Sequence, residues 1–120
     1  CRWNDGAGDY PAALERLREW GGDKLVGQMI RLFLENSQER MTQIRAGVDG
    51  DLDEAERGAH SLKSSAANVG AQSVRTIAAE MERVCGERDA EAFLLLVPPL
   101  EEAYAAACAA LQDVEKDTAE

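Results

Sequence analysis

Apolar residues recur every three or four positions along nearly the whole chain, which places them on one face of a 3.6-residue turn. Abundant alanine and leucine and only three prolines agree with an all-α chain. The first predicted helix runs from about Tyr10 to Trp20, with Asp9 as N-cap, Pro11 in its first turn and Leu14, Leu17 and Trp20 on one side. Gly21-Gly22 ends it. Asp23 caps a second helix to about Ala46, whose stripe of Val26, Met29, Ile30, Phe33, Ser37, Met41, Ile44 and Val48 keeps to one face. After a turn at Gly47 to Gly50, a third helix starts at an Asp51 cap and reaches about Asn68. A fourth follows Gly70, directs Val74, Ile77, Ala78, Met81 and Val84 inward and closes at Gly86. The last spans Asp89 to about Glu115 and carries Phe93, Leu96, Leu100, Tyr104, Cys108 and Leu111 at helical spacing. Pro98-Pro99 is expected to kink or interrupt it, with a bend at Val97. Connections this short favour antiparallel neighbours, so residues 1–120 are read as one antiparallel four-helix bundle with a short additional N-terminal helix across one end. The ends, residues 1–8 and 117–120, are expected to fray.

The chain has 120 residues, of which 13 are basic and 23 acidic, for a net charge of −10. Its length suits one domain of roughly 100 to 200 residues that buries about two-thirds of its unfolded surface. The acidic excess argues against nucleic acid or an anionic membrane surface as partner, since both require a cationic footprint. The apolar runs Ala92 to Leu100 and Ala103 to Leu111 each fall short of the roughly 20 residues needed to span a bilayer. Neither direct membrane contact nor a secretory signal is therefore expected. Cys1, Cys85 and Cys108 are widely spaced and accompany a single histidine, which disfavours a zinc site and fits reduced thiols in the cytoplasm. A start at Cys1 rather than Met is what a domain cut from a longer chain would show. With no second long apolar stripe, a monomer is expected.

His60, the sole histidine, falls on the third helix. At about 100° per residue, Ala55, Gly58, Ala59, Leu62, Ser65, Ala66 and Val69 cluster opposite it. Its own side holds Asp53, Glu56, Arg57, Lys63, Ser64 and Ala67, so the imidazole should face solvent. Ser64 and Ala67 are small and leave room for another molecule, and Lys63 puts an ammonium one turn away. Neutral imidazole is nucleophilic near pH 7, and a phosphorylated ring, which gains up to about two negative charges, is favoured by such a cation. Glu56, one turn earlier, is placed to orient the ring through its other nitrogen. Spacing alone leaves open both a phosphoryl acceptor and an ordinary histidine on a solvated face. Arg57 stands three residues before His60 where a di-iron carboxylate bundle needs glutamate, and a bundle this small offers little cleft for a hydrolase.

The segment Ala59-His60-Ser61-Leu62-Lys63-Ser64-Ser65-Ala66-Ala67-Asn68-Val69-Gly70-Ala71 resembles the signature of histidine-containing phosphotransfer (HPt) domains, approximately Ala-His-x-Leu-Lys-Gly-Ser-Ser-x-x-Leu/Val-Gly-Ala. Leu14 to Leu17, Gly21 to Leu25 and Phe33-Leu34 are similar to the family's opening helices, and Glu80-Met81-Glu82 to the acidic end of the helix after the histidine. The resemblance implies a module that relays phosphoryl groups between His60 and the aspartate of receiver domains in a phosphorelay, as part of a hybrid sensor histidine kinase or related signalling protein. Carried over by position, His60 is the phosphorylated residue and Lys63 stabilises the phosphate. Ser64 stands where the family has glycine, and retuned transfer is expected from it. Ser64, Ala67, Ala71, Gln72 and Glu56 are the residues expected in the docking patch. The resemblance also implies no cofactor of the chain's own and no ATP site, with Mg²⁺ supplied by the receiver, and a cytoplasmic place, whether or not within a membrane-anchored kinase. Two other readings stay open: a substrate domain of a chemotaxis-type kinase, and a binding-only bundle in which His60 is incidental.

Overall fold

The computed structural model describes residues 10–119, with side chains described over 12–116. The expected fraying of residues 1–8 and 117–120 thus falls outside the described side chains. Helix α1 spans Tyr10–Arg45, a 3₁₀ turn spans Ala46–Asp49, and α2 (Leu52–Val69), α3 (Gln72–Gly86) and α4 (Ala90–Ala119) follow. The predicted first and second helices are two arms of α1, broken at Gly22, whose φ of 71° and ψ of −169° leave the helical region. Ala13, Leu14 and Leu17 anchor the short arm in the core, and its end lies against the α2–α3 turn. Trp20, expected beside them, is 76% exposed and lies two residues before the break at Gly22.

The long arm of α1 buries Val26, Ile30, Phe33, Ser37, Met41 and Ile44. Ser37 is the polar member of that stripe, and its hydroxyl meets the Tyr104 hydroxyl of α4 at 2.8 Å, so the buried oxygen is satisfied. Val48, assigned to the same stripe, is exposed. The chain tightens to a 3₁₀ turn at Ala46, where side chains advance about 120° per residue, and Gly47 takes the inward position instead.

Asp51 caps α2 by accepting the Glu54 backbone N–H at 3.1 Å. At the other end Gly70 adopts φ 78°, and the N–H groups of Gly70 and Ala71 donate to the carbonyls of Ala67 and Ala66. This paired closure fixes where α3 begins. The buried face of α2 is Leu52, Ala55, Gly58, Ala59, Leu62, Ala66 and Val69, and α3 answers with Val74, Ile77, Ala78, Met81, Val84 and Cys85. Burial pushes the Cys85 thiol up to about 11, which keeps it protonated and unreactive.

Helix α4 continues through Pro98-Pro99, so of the expected kink or interruption the interruption does not occur. The two absent N–H groups would have met the carbonyls of Leu94 and Leu95, residues 48% and 74% exposed, so the lost bonds lie on the outer side of the bundle. The two short apolar runs therefore join into one helix of 30 residues. By length and composition its Ala90–Lys116 segment would suffice to cross a bilayer. Phe93, Leu100, Ala103, Ala107 and Leu111 are instead buried against the other helices. An antiparallel four-helix bundle results, with the α1 short arm added at one end.

Helices α1 and α2 approach most closely at Gly58, where a Cβ would lie 2.8 Å from the Gln43 Cβ and 2.9 Å from the Arg40 carbonyl oxygen. That carbonyl belongs to the helix backbone and cannot move aside. Gly58→Val is therefore expected to lower unfolding stability by about 2 kcal/mol through overpacking, read as a lower urea midpoint; an unchanged midpoint would refute the tight crossing.

Candidate functional site

The face of α2 opposite its buried stripe presents His60, whose side chain is 61% exposed. Its Nδ1 lies 2.8 Å from Glu82 Oε2 of α3. Lys63, one turn further along α2, donates from Nζ to the other oxygen, Glu82 Oε1, at 2.7 Å. One carboxylate thus holds both the ring and the ammonium. The bond from Lys63, reinforced by that to His60, keeps Glu82 below the usual carboxylate range despite its partial burial. An ionised carboxylate only accepts hydrogen bonds, so this contact assigns the proton to Nδ1 and the lone pair to Nε2, the nitrogen turned away from Glu82. The site is an oriented nucleophile with a cation one helical turn away.

Around the ring opens a cleft of about 390 Å³ walled by Arg40, Gln43, Glu56, Arg57, Ser61 and Glu82. On its α1 side Arg40 donates to Gln43 at 2.6 Å, Gln43 donates to Glu54 at 2.8 Å, and Arg57 also pairs with Glu54. The bonds from Gln43 and then Arg57 hold the Glu54 carboxyl below its usual range. This chain of contacts ties α1 to α2 beside the histidine. Further along α2, a depression of about 170 Å³ between α1 and α2 is bordered by Met29, Leu32, Asn36, Ser65 and Asn68, with Leu32 half exposed.

The structure brings His60, Lys63, Ser64 and Ala67 to one accessible face, with Gln72 half-buried at its far end. Two expectations need correction. Glu56 does not orient the ring; it leans toward the end of α3 near Cys85 and Gly86, and Glu82 takes the imidazole. Ala71 is 1% exposed, because the closure at Gly70 turns its methyl into the core, out of a partner's reach. Glu82 went unassigned because its contact joins two helices. One signal for it existed: it follows the buried Met81 and stands four residues after the buried Ala78, hence on the margin of α3's inner face.

Comparison with known proteins gives the family and the fold. The Hpt domain family profile matches residues 28–114. Histidine-containing phosphotransfer protein 2 of Arabidopsis thaliana is 27% identical over 110 residues, covering 88% of this chain and 70% of that protein. Among solved structures, a rice protein assigned as a histidine-containing phosphotransfer protein superposes with a TM-score of 0.77 at 16% identity, covering 95% of this chain and 86% of its own. A maize histidine-containing phosphotransfer protein gives 0.75 at 20% identity, with 92% and 84% covered. At these identities the structures establish the shared fold.

Two outcomes follow for Glu82. In nitrogen-detected NMR the neutral His60 ring should be the Nδ1–H tautomer in the wild type and a mixture in Glu82→Ala; the same tautomer in both would remove Glu82's orienting role. Because the folded carboxyl lies below its ordinary 4.5, its contacts add stability above that pH and lose it as pH falls through the lower folded value. Urea midpoints of wild type and Glu82→Gln should accordingly converge in acid and separate toward neutrality.

Proposed function

This chain belongs to the Hpt domain family, the histidine phosphotransfer modules of phosphorelays, and we propose that His60 is its phosphoryl carrier, with Nε2 as the attacking atom. The observation that supports this reading most is the anchored ring: Glu82 fixes Nδ1–H and leaves the Nε2 lone pair outward on a rigid helix. In the proposed step, Nε2 attacks the phosphorus of a receiver's aspartyl phosphate in line. The N–P bond forms as the P–O bond to aspartate breaks, and the carboxylate leaves with its electron pair. The phosphorylated ring keeps its Nδ1 proton and acquires positive character, which the Glu82 carboxylate offsets. Lys63, held at 2.7 Å from the same carboxylate, is placed to turn its ammonium to the phosphoryl oxygens.

Receiver domains are the partners of this family, and the Mg²⁺ and acidic pocket of the reaction are assigned to the receiver. The proposed docking surface is Ser64, Ala67 and Gln72 together with the half-exposed Leu32 and the groove beside it. Small side chains around the ring let another backbone come close, and the apolar groove supplies burial. Ser64 adds a hydroxyl four residues after the histidine, where it can reach a phosphoryl oxygen. We further propose a monomer acting in the cytoplasm without membrane contact of its own. The net charge of −10 and the burial of α4's apolar face in the bundle support this.

The test is transfer from a phosphorylated receiver in the presence of Mg²⁺. Wild type should acquire acid-labile phosphate, His60→Gln should acquire none while keeping its helical spectrum, and Ser64→Gly should still be labelled. Lys63→Ala should transfer about tenfold more slowly, the low end for a lost bond to a charged group; an unchanged rate would remove the lysine's role. Label on His60→Gln would place the carrier elsewhere.

A further inference from the structure

Every arginine among the described residues except Arg16 and Arg75 lies within 4.0 Å of a carboxylate. In a chain with 23 acids such pairing is expected, and two exceptions on one cavity are not. Arg16 reaches it from the short arm of α1 and Arg75 from the first turn of α3, on either side of Ala67 and Gly70. The cavity measures about 230 Å³, and among the described residues no carboxylate lines it. Its remaining walls are Ala12, Ala13 and Gln72, small or neutral. Gln72 accepts a bond from Arg75 Nε at 3.1 Å, which leaves the four terminal N–H groups of that guanidinium for other acceptors.

We infer that this cavity is a docking site for acidic side chains of the receiver domain, with Arg16 and Arg75 as its cationic contacts. The inference rests on the phosphotransfer reading above. Ala67 stands two helical turns after His60 on the same face of α2, about 10 Å along the helix. A partner seated over the imidazole with about 800 Å² of contact extends that far. A receiver that holds Mg²⁺ in an acidic pocket is itself negative around its active end, and a protein of net charge −10 would repel it. Two uncommitted guanidiniums beside the docking face offset that repulsion locally and set the orientation, because a guanidinium fork matches a carboxylate in two bonds. Rim charges of this kind act on encounter more than on the bound state.

The experiment uses a receiver domain that labels the wild-type protein, phosphorylated by a small-molecule donor with Mg²⁺, and measures KM and kcat for transfer. Arg16→Glu/Arg75→Glu should raise KM about tenfold at low salt, with kcat retained and the difference shrinking as salt rises. Arg16→Lys/Arg75→Lys, which keeps the charge and loses the fork, should raise KM less than the reversal does, and Lys24→Glu/Lys116→Glu, an equal change in net charge away from the cavity, should leave KM in place. If charge reversal unfolds the protein, seen by circular dichroism, Arg16→Gln/Arg75→Gln should give a smaller salt-dependent rise. An unchanged KM, an equal rise from the lysine pair, or a rise that vanishes when residues 1–9 are deleted overturns the inference, the last by making the chain's own leading segment the occupant. Labelled wild type with KM unmoved by reversal removes the docking site alone. Failure of every receiver to label wild type removes the phosphotransfer reading with it.

Discussion

At Gly58 the backbones of α1 and α2 approach until no side-chain atom fits between them, and the position of the imidazole depends on that contact. The inner face of α2 is mostly alanine and glycine with Leu52, Leu62 and Val69 as larger anchors, so the helix sits deep against its neighbours. A helix packed that closely has little freedom to roll. Its opposite face, with His60, Lys63, Ser64 and Ala67, is then held outward by packing rather than by any bond at the site. The closures at both ends, Asp51 before α2 and Gly70 after it, fix its length and bring α3 back at the register that sets Glu82 against the ring.

Charge is organised around the same helix. Most cations of the described chain are neutralised by nearby acids, and the local exceptions acquire weight from that background. Lys63 is tied to the carboxylate that also holds His60, so the unphosphorylated site is electrically balanced. The proposed phosphoryl group on Nε2 would disturb that balance by adding negative charge close to Glu82. The lysine, one turn away on a flexible stem, is the group that can answer by changing partner. In the proposed transfer a single carboxylate would serve two states, orienting the imidazole before it and stabilising the ring's Nδ1–H after it.

The amphipathic period of each helix was readable in the sequence because each reports a single face, and so was the outward direction of His60, which needs only the angle between its position and Leu62 or Ala66. The signature around His60 carried the family. What could not be read was anything that joins two elements. Glu82 meets His60 from another helix, 22 positions away, and periodicity within α2 pointed to Glu56 instead. Ala71 lies beyond the end of α2, where the left-handed residue at Gly70 ends the 100° rule, so extending the helical face across it put a buried methyl on the surface. Pro98-Pro99 fails to end α4 for a different reason: the prolines lie one turn after Leu94 and Leu95, both well exposed, so the missing N–H groups fall on the solvent side of the helix rather than in the core.

The energies of core and site differ enough to be separated. A buried leucine or isoleucine such as Leu62 or Ile77 contributes roughly 2 to 5 kcal/mol to stability when compared with alanine, whereas an exposed ion pair contributes about 0 to 1 kcal/mol. Arg16, Lys63 and His60 are all on the low side of that divide, since each is exposed or half-exposed and none fills the core. Their identity is therefore weakly constrained by folding. At a buried position an unusual residue can be explained by shape alone; at these three it cannot, and an anchored imidazole, a bridging carboxylate and, beside the same face of α2, two guanidiniums with no ion pair among the described residues are not dictated by packing and are accounted for by the binding proposed above.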